Sequence, residues 1–375
     1  MTRLICRQTG ASYPLSEARW CSDSGGLLDL SLGATFDPDC LRHEAPTLWR
    51  YRQVLPLPPE VVPVSFGEGM TPLRPIVLDG RRIPCKLDYL FPSGSYKDRG
   101  ATVLLSYARH LGVPQVVQDS SGNAGAAVAH YAALAGLGCR IFVPADTAPA
   151  KLEQMRACGA TVERVPGDRE ATAQAAMQAA DTHFYASHVW QPMFFEGTKT
   201  WAYEVCEQRG WRAPDTVVLP AGNGTLLLGA YLGFLELKAL GITDQIPRLV
   251  GVQVAHCAPL FAAQEAGLTE PLTIAAQASA AEGIAIAVPR RGTQMMAYVR
   301  ATGGRFLAVE EPEIAEALRL MTRQGYFIEP TSAAVVAGLR QYLARHAEPD
   351  EDIVSVLTGH GLKAAEKVGK LIGKA

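Results

Sequence analysis

From residue 98 onwards the apolar positions alternate between two periods. Over 98–111, Ala101, Leu104, Leu105, Ala108 and Leu111 recur at i, i+3 and i+4, which predicts a helix. Comparable spacing predicts helices over 123–135, 150–158, 169–180, 196–209, 225–240, 312–324 and 332–346. Gly159 stands where a helix C-cap is expected, and Pro312 where a first helical residue is favoured. Short apolar runs predict strands at 116–117, 139–143, 161–165, 184–186, 216–219, 249–254 and 353–357. Strands alternating with helices imply βαβ units and parallel sheets, hence an α/β class. No fixed-period repeat interrupts this. The first 65 residues differ, being rich in Pro and Trp with little periodicity, and read as an extension that wraps the core.

Composition narrows the class. At roughly 150 residues per domain, 375 residues favour two domains over one or four. Hydrophobic residues make up 48% and charged residues 19%, which excludes disorder for the bulk of the chain. A formal net charge of −2 lacks the basic excess of a nucleic-acid binder. No run of about 18 apolar residues occurs, and the first residues lack the apolar stretch of a secretory signal, so a protein without membrane partners, located in the cytoplasm, is expected. The 8 cysteines are scattered with no C-x-x-C pair, which supports neither a disulfide framework nor a metal site. Glycine is the excess, at 35 residues, and points to tight turns and close approach of backbone to ligand.

Three glycine-containing junctions open predicted helices, the places where open α/β sheets bind ligands. In Ser93-Gly94-Ser95-Tyr96-Lys97-Asp98-Arg99-Gly100 a lysine sits at a helix start, where the dipole favours the neutral amine; the alternative is an ordinary surface lysine. Asp119-Ser120-Ser121-Gly122-Asn123 offers backbone N–H groups, hydroxyls and an amide to an anion, or simple capping by Ser121 or Asn123. Pro220-Ala221-Gly222-Asn223-Gly224-Thr225-Leu226 is a candidate phosphate cradle; it fits neither G-x-G-x-x-G nor a Walker loop.

Taken in order, these motifs resemble the threonine synthase-like branch of the fold type II (tryptophan synthase β-like) pyridoxal-phosphate enzymes. Gly67–Leu73 (GEGMTPL) looks like the family's opening motif and Lys86–Gly100 its cofactor-lysine motif, usually with Phe where Tyr96 stands. Ser120–Asn123, Gly222–Thr225, Glu282–Ile286, Glu329–Ala334 and Leu357–Lys363 follow in the family's order. The resemblance implies two open, twisted, mostly parallel sheets flanked by helices, with the cofactor in the interdomain cleft. It implies a large cofactor-binding domain from 66–97 and 188–375, a small inserted α/β domain from 98–187, and a homodimer. Residues 1–65 would be a degenerate ribbon-like extension without metal: where relatives carry two C-x-x-C pairs, only Cys6 and Cys21 remain, and two thiolates do not close a tetrahedral site.

The resemblance also assigns roles. Lys97 would hold pyridoxal 5'-phosphate as a Schiff base and act as catalytic base. Asn123 would bond the ring oxygen. Gly222, Asn223, Gly224, Thr225 and Leu226 would hold the phosphate, and Thr358 would face the pyridine nitrogen as a neutral partner. Ser120, Ser121, Gly122 and Asn123 would receive the substrate carboxylate. His360, between two glycines, is expected to be structural rather than an extra acid–base group, the Tyr96 side chain to point away from Lys97, and Arg290 and Arg291 to lie in a solvated loop rather than to bind an acidic substrate group. The implied activity is a lyase reaction on a small amino acid with a β- or γ-leaving group, O-phosphohomoserine giving threonine and phosphate. Two departures keep an alternative open. Ala124-Gly125 replaces Thr-Ser, and Phe194 stands where the family has an arginine that binds the substrate phosphate. The alternative is a β-eliminating deaminase or β-replacement enzyme of the serine/threonine dehydratase, diaminopropionate ammonia-lyase or cysteate synthase type. A purely binding role would be expected to damage the cofactor lysine, and Lys97 is intact.

Overall fold

The computed structural model describes residues 2–373 apart from Leu32, Ala34 and Asp168, with the side chains of Arg42, His43 and Ala150 left undescribed. The chain divides into two compact units, one of Met1–Met70 with Lys97–Thr200, the other of Thr71–Tyr96 with Trp201–Ala375. These limits differ from the expected 98–187: the first unit runs on to Thr200 and takes in the N-terminal segment as well. Elements are numbered below in chain order.

The first unit is built on a parallel sheet of order β8-β7-β6-β9, from β6 (Gln115–Gln118), β7 (Gly138–Pro144), β8 (Thr161–Val165) and β9 (Phe184–Tyr185). The strands alternate with α1 (Lys97–His110), α2 (Asn123–Ala135), α3 (Pro149–Ala157) and α4 (Arg169–Ala179), and the unit ends within α5 (Pro192–Glu207). β1 (Arg3–Cys6), β2 (Ser12–Pro14) and β3 (Leu28–Leu30) form a separate antiparallel sheet of order β2-β1-β3. The N-terminal segment does more than wrap. Leu48, Leu55, Leu57, Val61 and Val64 belong to the same apolar cluster as α1, α2 and Phe194. Polar bonds fix the join: Trp49 Nε1 donates to Thr102 Oγ1 at 3.0 Å, and Val64 N to Ser106 Oγ at 2.8 Å. Trp20 meets Tyr185 and Trp190 edge-on at 5.4 and 5.1 Å.

The second unit is built on a six-stranded sheet of order β12-β11-β10-β13-β5-β4. Its strands are β4 (Leu73–Leu78), β5 (Arg81–Lys86), β10 (Thr216–Pro220), β11 (Arg248–Val254), β12 (Arg305–Val309) and β13 (Ile353–Val356). All neighbours run parallel except the β4–β5 hairpin, which turns at Asp79-Gly80, both with positive φ. The flanking helices are α6 (Thr225–Ala239), α7 (Pro259–Glu265), α8 (Gly292–Ala301), α9 (Glu311–Arg323), α10 (Pro330–Arg345) and α11 (Ala365–Ile372). Strands β10, β11 and β13 are buried along nearly every position, as a sheet covered on both faces requires. The α/β class with mostly parallel sheets is therefore the observed one. No described helix is long and apolar enough to cross a membrane.

Candidate active site

In the first unit, Lys97 is the first residue of α1 and is half-buried. Its amine lies 5.8 Å from the centroid of the Phe194 ring. Phe194, in the first turn of α5, is fully buried. It occupies room left by Gly100, where any Cβ would run into the ring. His188 meets Phe194 edge-on at 6.1 Å. Burial first, and then the positive charges of Lys97 and Arg169, hold the His188 imidazole well below its usual pKa, so it is neutral. The Lys97 amine thus faces an aromatic ring, and its charge helps keep the His188 imidazole uncharged.

The β6–α2 junction carries Ser120, Ser121, Gly122 and Asn123 together. Gln118 anchors it from below, donating from Nε2 to Ala186 O at 2.7 Å and accepting from Asp119 N at 2.7 Å. Gly122 is the N-cap of α2, and no side chain caps this end, so the capping reading of Ser121 and Asn123 is not realised. Ser120 Oγ instead accepts from Gly122 N at 3.3 Å. Gly125 lets the turn close, because a Cβ there would strike the Ser120 carbonyl. First-turn N–H groups without a side-chain cap, beside hydroxyls and an amide, are suited to a carboxylate.

In the second unit, the β10–α6 junction carries Gly222, Asn223, Gly224, Thr225 and Leu226. Gly224 is the N-cap of α6 at φ 78°, in the left-handed region, again without a side-chain cap. A Cβ on Gly222 would lie 2.8 Å from Ile284 Cα, and one on Gly224 would collide with Met295. The loop is therefore a tight backbone turn at a helix start, and a phosphate fits such a donor set. Thr358, just after β13, is fully buried, with its hydroxyl 2.9 Å from Ser332 Oγ. Ser332 Oγ also accepts the N–H groups of Thr358 and Gly359 at 2.8 and 2.9 Å. Sequence reasoning does not single out Ser332 as a site residue, although it sits inside the recognised motif at Glu329–Ala334.

Three other residues resolve here. Tyr96 is buried, and its hydroxyl lies 2.7 Å from Thr225 Oγ1. His360 Nδ1 accepts from Leu362 N at 3.1 Å, and its ring meets Tyr89 and Phe327 edge-on. Arg290 is exposed as expected, but Arg291 is only 2% exposed, which corrects its placement in a solvated loop. It caps α8, and its Nη1 donates to Gln294 Oε1 at 2.9 Å, giving the buried guanidinium a fixed acceptor. In the N-terminal sheet, Cys6 lies beside hydroxyls, 4.0 Å from Ser24 Oγ. Among the described residues, no group of three or more His, Cys, Asp and Glu side chains is placed to hold a metal ion.

A family profile described as "Pyridoxal-phosphate dependent enzyme" matches residues 64–359. The threonine synthase of Methanosarcina acetivorans is 34% identical, covering 98% of this chain and 94% of that protein. The threonine synthase of Methanocaldococcus jannaschii is 33% identical, over 96% and 92%. Among solved structures, threonine synthase from Escherichia coli superposes with a TM-score of 0.77 at 18% identity, covering 100% of this chain and 92% of that one. The threonine deaminase of T.th. gives a TM-score of 0.65 at 27% identity, over 78% and 92%.

Proposed function

Because the chain belongs to the pyridoxal-phosphate-dependent enzyme family, as a threonine synthase-like lyase that uses pyridoxal 5'-phosphate and acts on an amino acid, we propose that it converts O-phosphohomoserine and water into threonine and phosphate. Relatives of that name, matched over nearly the whole chain, support this substrate. The observation that carries the reaction type is Lys97, a half-buried amine at the start of α1, over the Phe194 ring.

When bound, the cofactor supplies an electron-withdrawing ring that stabilises negative charge at Cα of an amino acid. The rest falls to the chain. Lys97 would anchor the cofactor through its amine and would serve as the base at the Cα proton. The backbone N–H groups of 222–226 would hold the phosphate. The Asn123 amide would bond the ring oxygen. Thr358 would offer the ring nitrogen a hydroxyl that already lies 2.9 Å from Ser332 Oγ. A neutral partner there leaves that nitrogen largely unprotonated, which suits reactions in which a leaving group departs promptly. Ser120, Ser121, Gly122 and Asn123 orient the substrate carboxylate.

Phe194 favours a second reading. A phosphate-bearing side chain would meet an apolar ring rather than a guanidinium at this position, so a smaller, uncharged substrate undergoing β-elimination is the rival. One assay separates the two: phosphate and threonine formation from O-phosphohomoserine, beside oxo-acid formation from serine, threonine and diaminopropionate. Turnover confined to the second group would sink the first reading. In either case Lys97→Ala is expected to abolish turnover while still allowing weak cofactor binding, and retained turnover would remove Lys97 from its role.

A further inference from the structure

Tyr96 stands where the resembling family usually has phenylalanine, so it brings an additional hydroxyl to this position. That hydroxyl is buried and lies 2.7 Å from Thr225 Oγ1, at the first residue of α6. The backbone of the same residue is pinned as well: Tyr96 N donates to Thr358 O at 2.9 Å, and the preceding Ser95 forms a bridge with Gly359. One residue therefore ties the loop at 222–226 to the strand end that carries Thr358, and it immediately precedes Lys97 in sequence. Burial, opposed by the contact with the Thr225 hydroxyl and reinforced by Glu329 and Asp88, pushes the phenol far above its usual pKa, so it keeps its proton.

We propose that Tyr96 is a positioning residue for the cofactor phosphate, its hydroxyl donating to Thr225 Oγ1 so that the threonine's own proton is turned towards the phosphate. The proposal rests on the reading that 222–226 hold that phosphate. A hydroxyl has one proton to give and lone pairs to receive another. With Tyr96 as donor, Thr225 is committed to donate onwards, and an ionised acceptor makes that onward bond a strong one.

The test compares two probes on the full-length chain, pyridoxal 5'-phosphate and pyridoxal, which lacks the phosphate. Both bind Lys97 through the aldehyde, and titration is followed by the absorbance of the lysine-bound aldehyde. Tyr96→Phe is expected to weaken pyridoxal 5'-phosphate by about three- to tenfold and to leave pyridoxal unchanged. The phosphorus NMR shift of the bound cofactor should move in parallel. Thr225→Val should reproduce both effects, and adding Tyr96→Phe to it should change nothing further. Equal weakening of both probes in Tyr96→Phe would mean a packing role only and overturns the proposal. An unchanged ratio of the two affinities in Tyr96→Phe, with Thr225→Val still altering it, overturns it too. If Thr225→Val also leaves the ratio unchanged, the assignment of the phosphate to this loop has itself failed.

Discussion

The buried ion pair between Lys86 and Glu204 offers a quantitative test of what holds the second unit together. Lys86, the last residue of β5, donates from Nζ to Glu204 Oε2 at 2.7 Å, to Thr71 O at 2.6 Å and to Gln208 Oε1 at 3.0 Å. Both charged side chains are fully shielded from solvent. Removing one member of such a pair leaves the other charge buried and typically costs about 3–5 kcal/mol. The two deletions should not be equal. In Glu204→Gln the ammonium keeps Thr71 O and Gln208, so the cost should fall near the low end, about 3 kcal/mol. In Lys86→Met the Glu204 carboxylate loses its ammonium, and the cost should approach about 5 kcal/mol. The double variant Lys86→Met with Glu204→Leu removes both charges and fills similar volume, so its cost should be within about 1 kcal/mol of zero or become a gain. Urea unfolding of all four proteins, at one fixed cofactor concentration, measures this. Single variants within about 0.5 kcal/mol of the parent, or a double variant costing the sum of the two, would refute the reasoning.

Gly224→Ala forces a residue with a Cβ into the left-handed region at φ 78°, costing about 1–2 kcal/mol before Met295 has moved. Cofactor affinity should fall by about tenfold or more, read by titration, and an unchanged affinity would count against 222–226 as the cradle. His188 supplies a pH test. Its folded-state pKa lies well below the ordinary value of about 6.5, so the unfolded chain takes up a proton that the folded one refuses. Stability from this group is therefore present above about pH 6.5 and is lost as pH falls below it, at up to about 1.4 kcal/mol per pH unit. His188→Asn should make the acid limb of urea midpoints shallower, and an identical limb would refute the buried neutral imidazole.

How much of this is legible in the sequence depends on whether the signal is local. Helix α2 begins and ends where the pattern puts it, because Gly122 and the left-handed Gly136 bracket a continuous run of small apolar residues. Strand β8 likewise coincides with its apolar run. Helix α5 starts at Pro192, four residues before the expected start at 196, because a favoured first-position proline precedes Met193, Phe194 and Phe195 and the apolar spacing alone does not register it. The β4–β5 hairpin is absent from the expected elements, although Asp79-Gly80 between alternating strands is a strong turn signal. Helices α7, α8 and α11 and strand β12 are also absent from the expected elements. Ordered motifs identify the junctions at Lys97, Ser120–Asn123 and 222–226, and the structure puts each at a helix start. The contacts of Tyr96 and Ser332 are not visible: each has a hydroxyl whose partner lies 129 or 26 residues away, and no local pattern records such a distance.

The parallel pairing of β5 with β13, Ser355 opposite Cys85 and Val356 opposite Lys86, has a consequence for how the chain is made. The β4–β5 hairpin is synthesised early, yet its sheet partner lies 270 residues further along the chain, Cys85 to Ser355. During most of translation β5 presents an unpaired edge, and the interval is set by ribosome speed rather than by diffusion. Residues of the first unit need no such wait, since its strands and helices are complete once α5 has been translated. The nascent protein therefore passes through a state in which one unit is assembled while the other still holds an open strand. Termination anywhere between α5 and β13 would strand it there, with a bare sheet edge available to other chains.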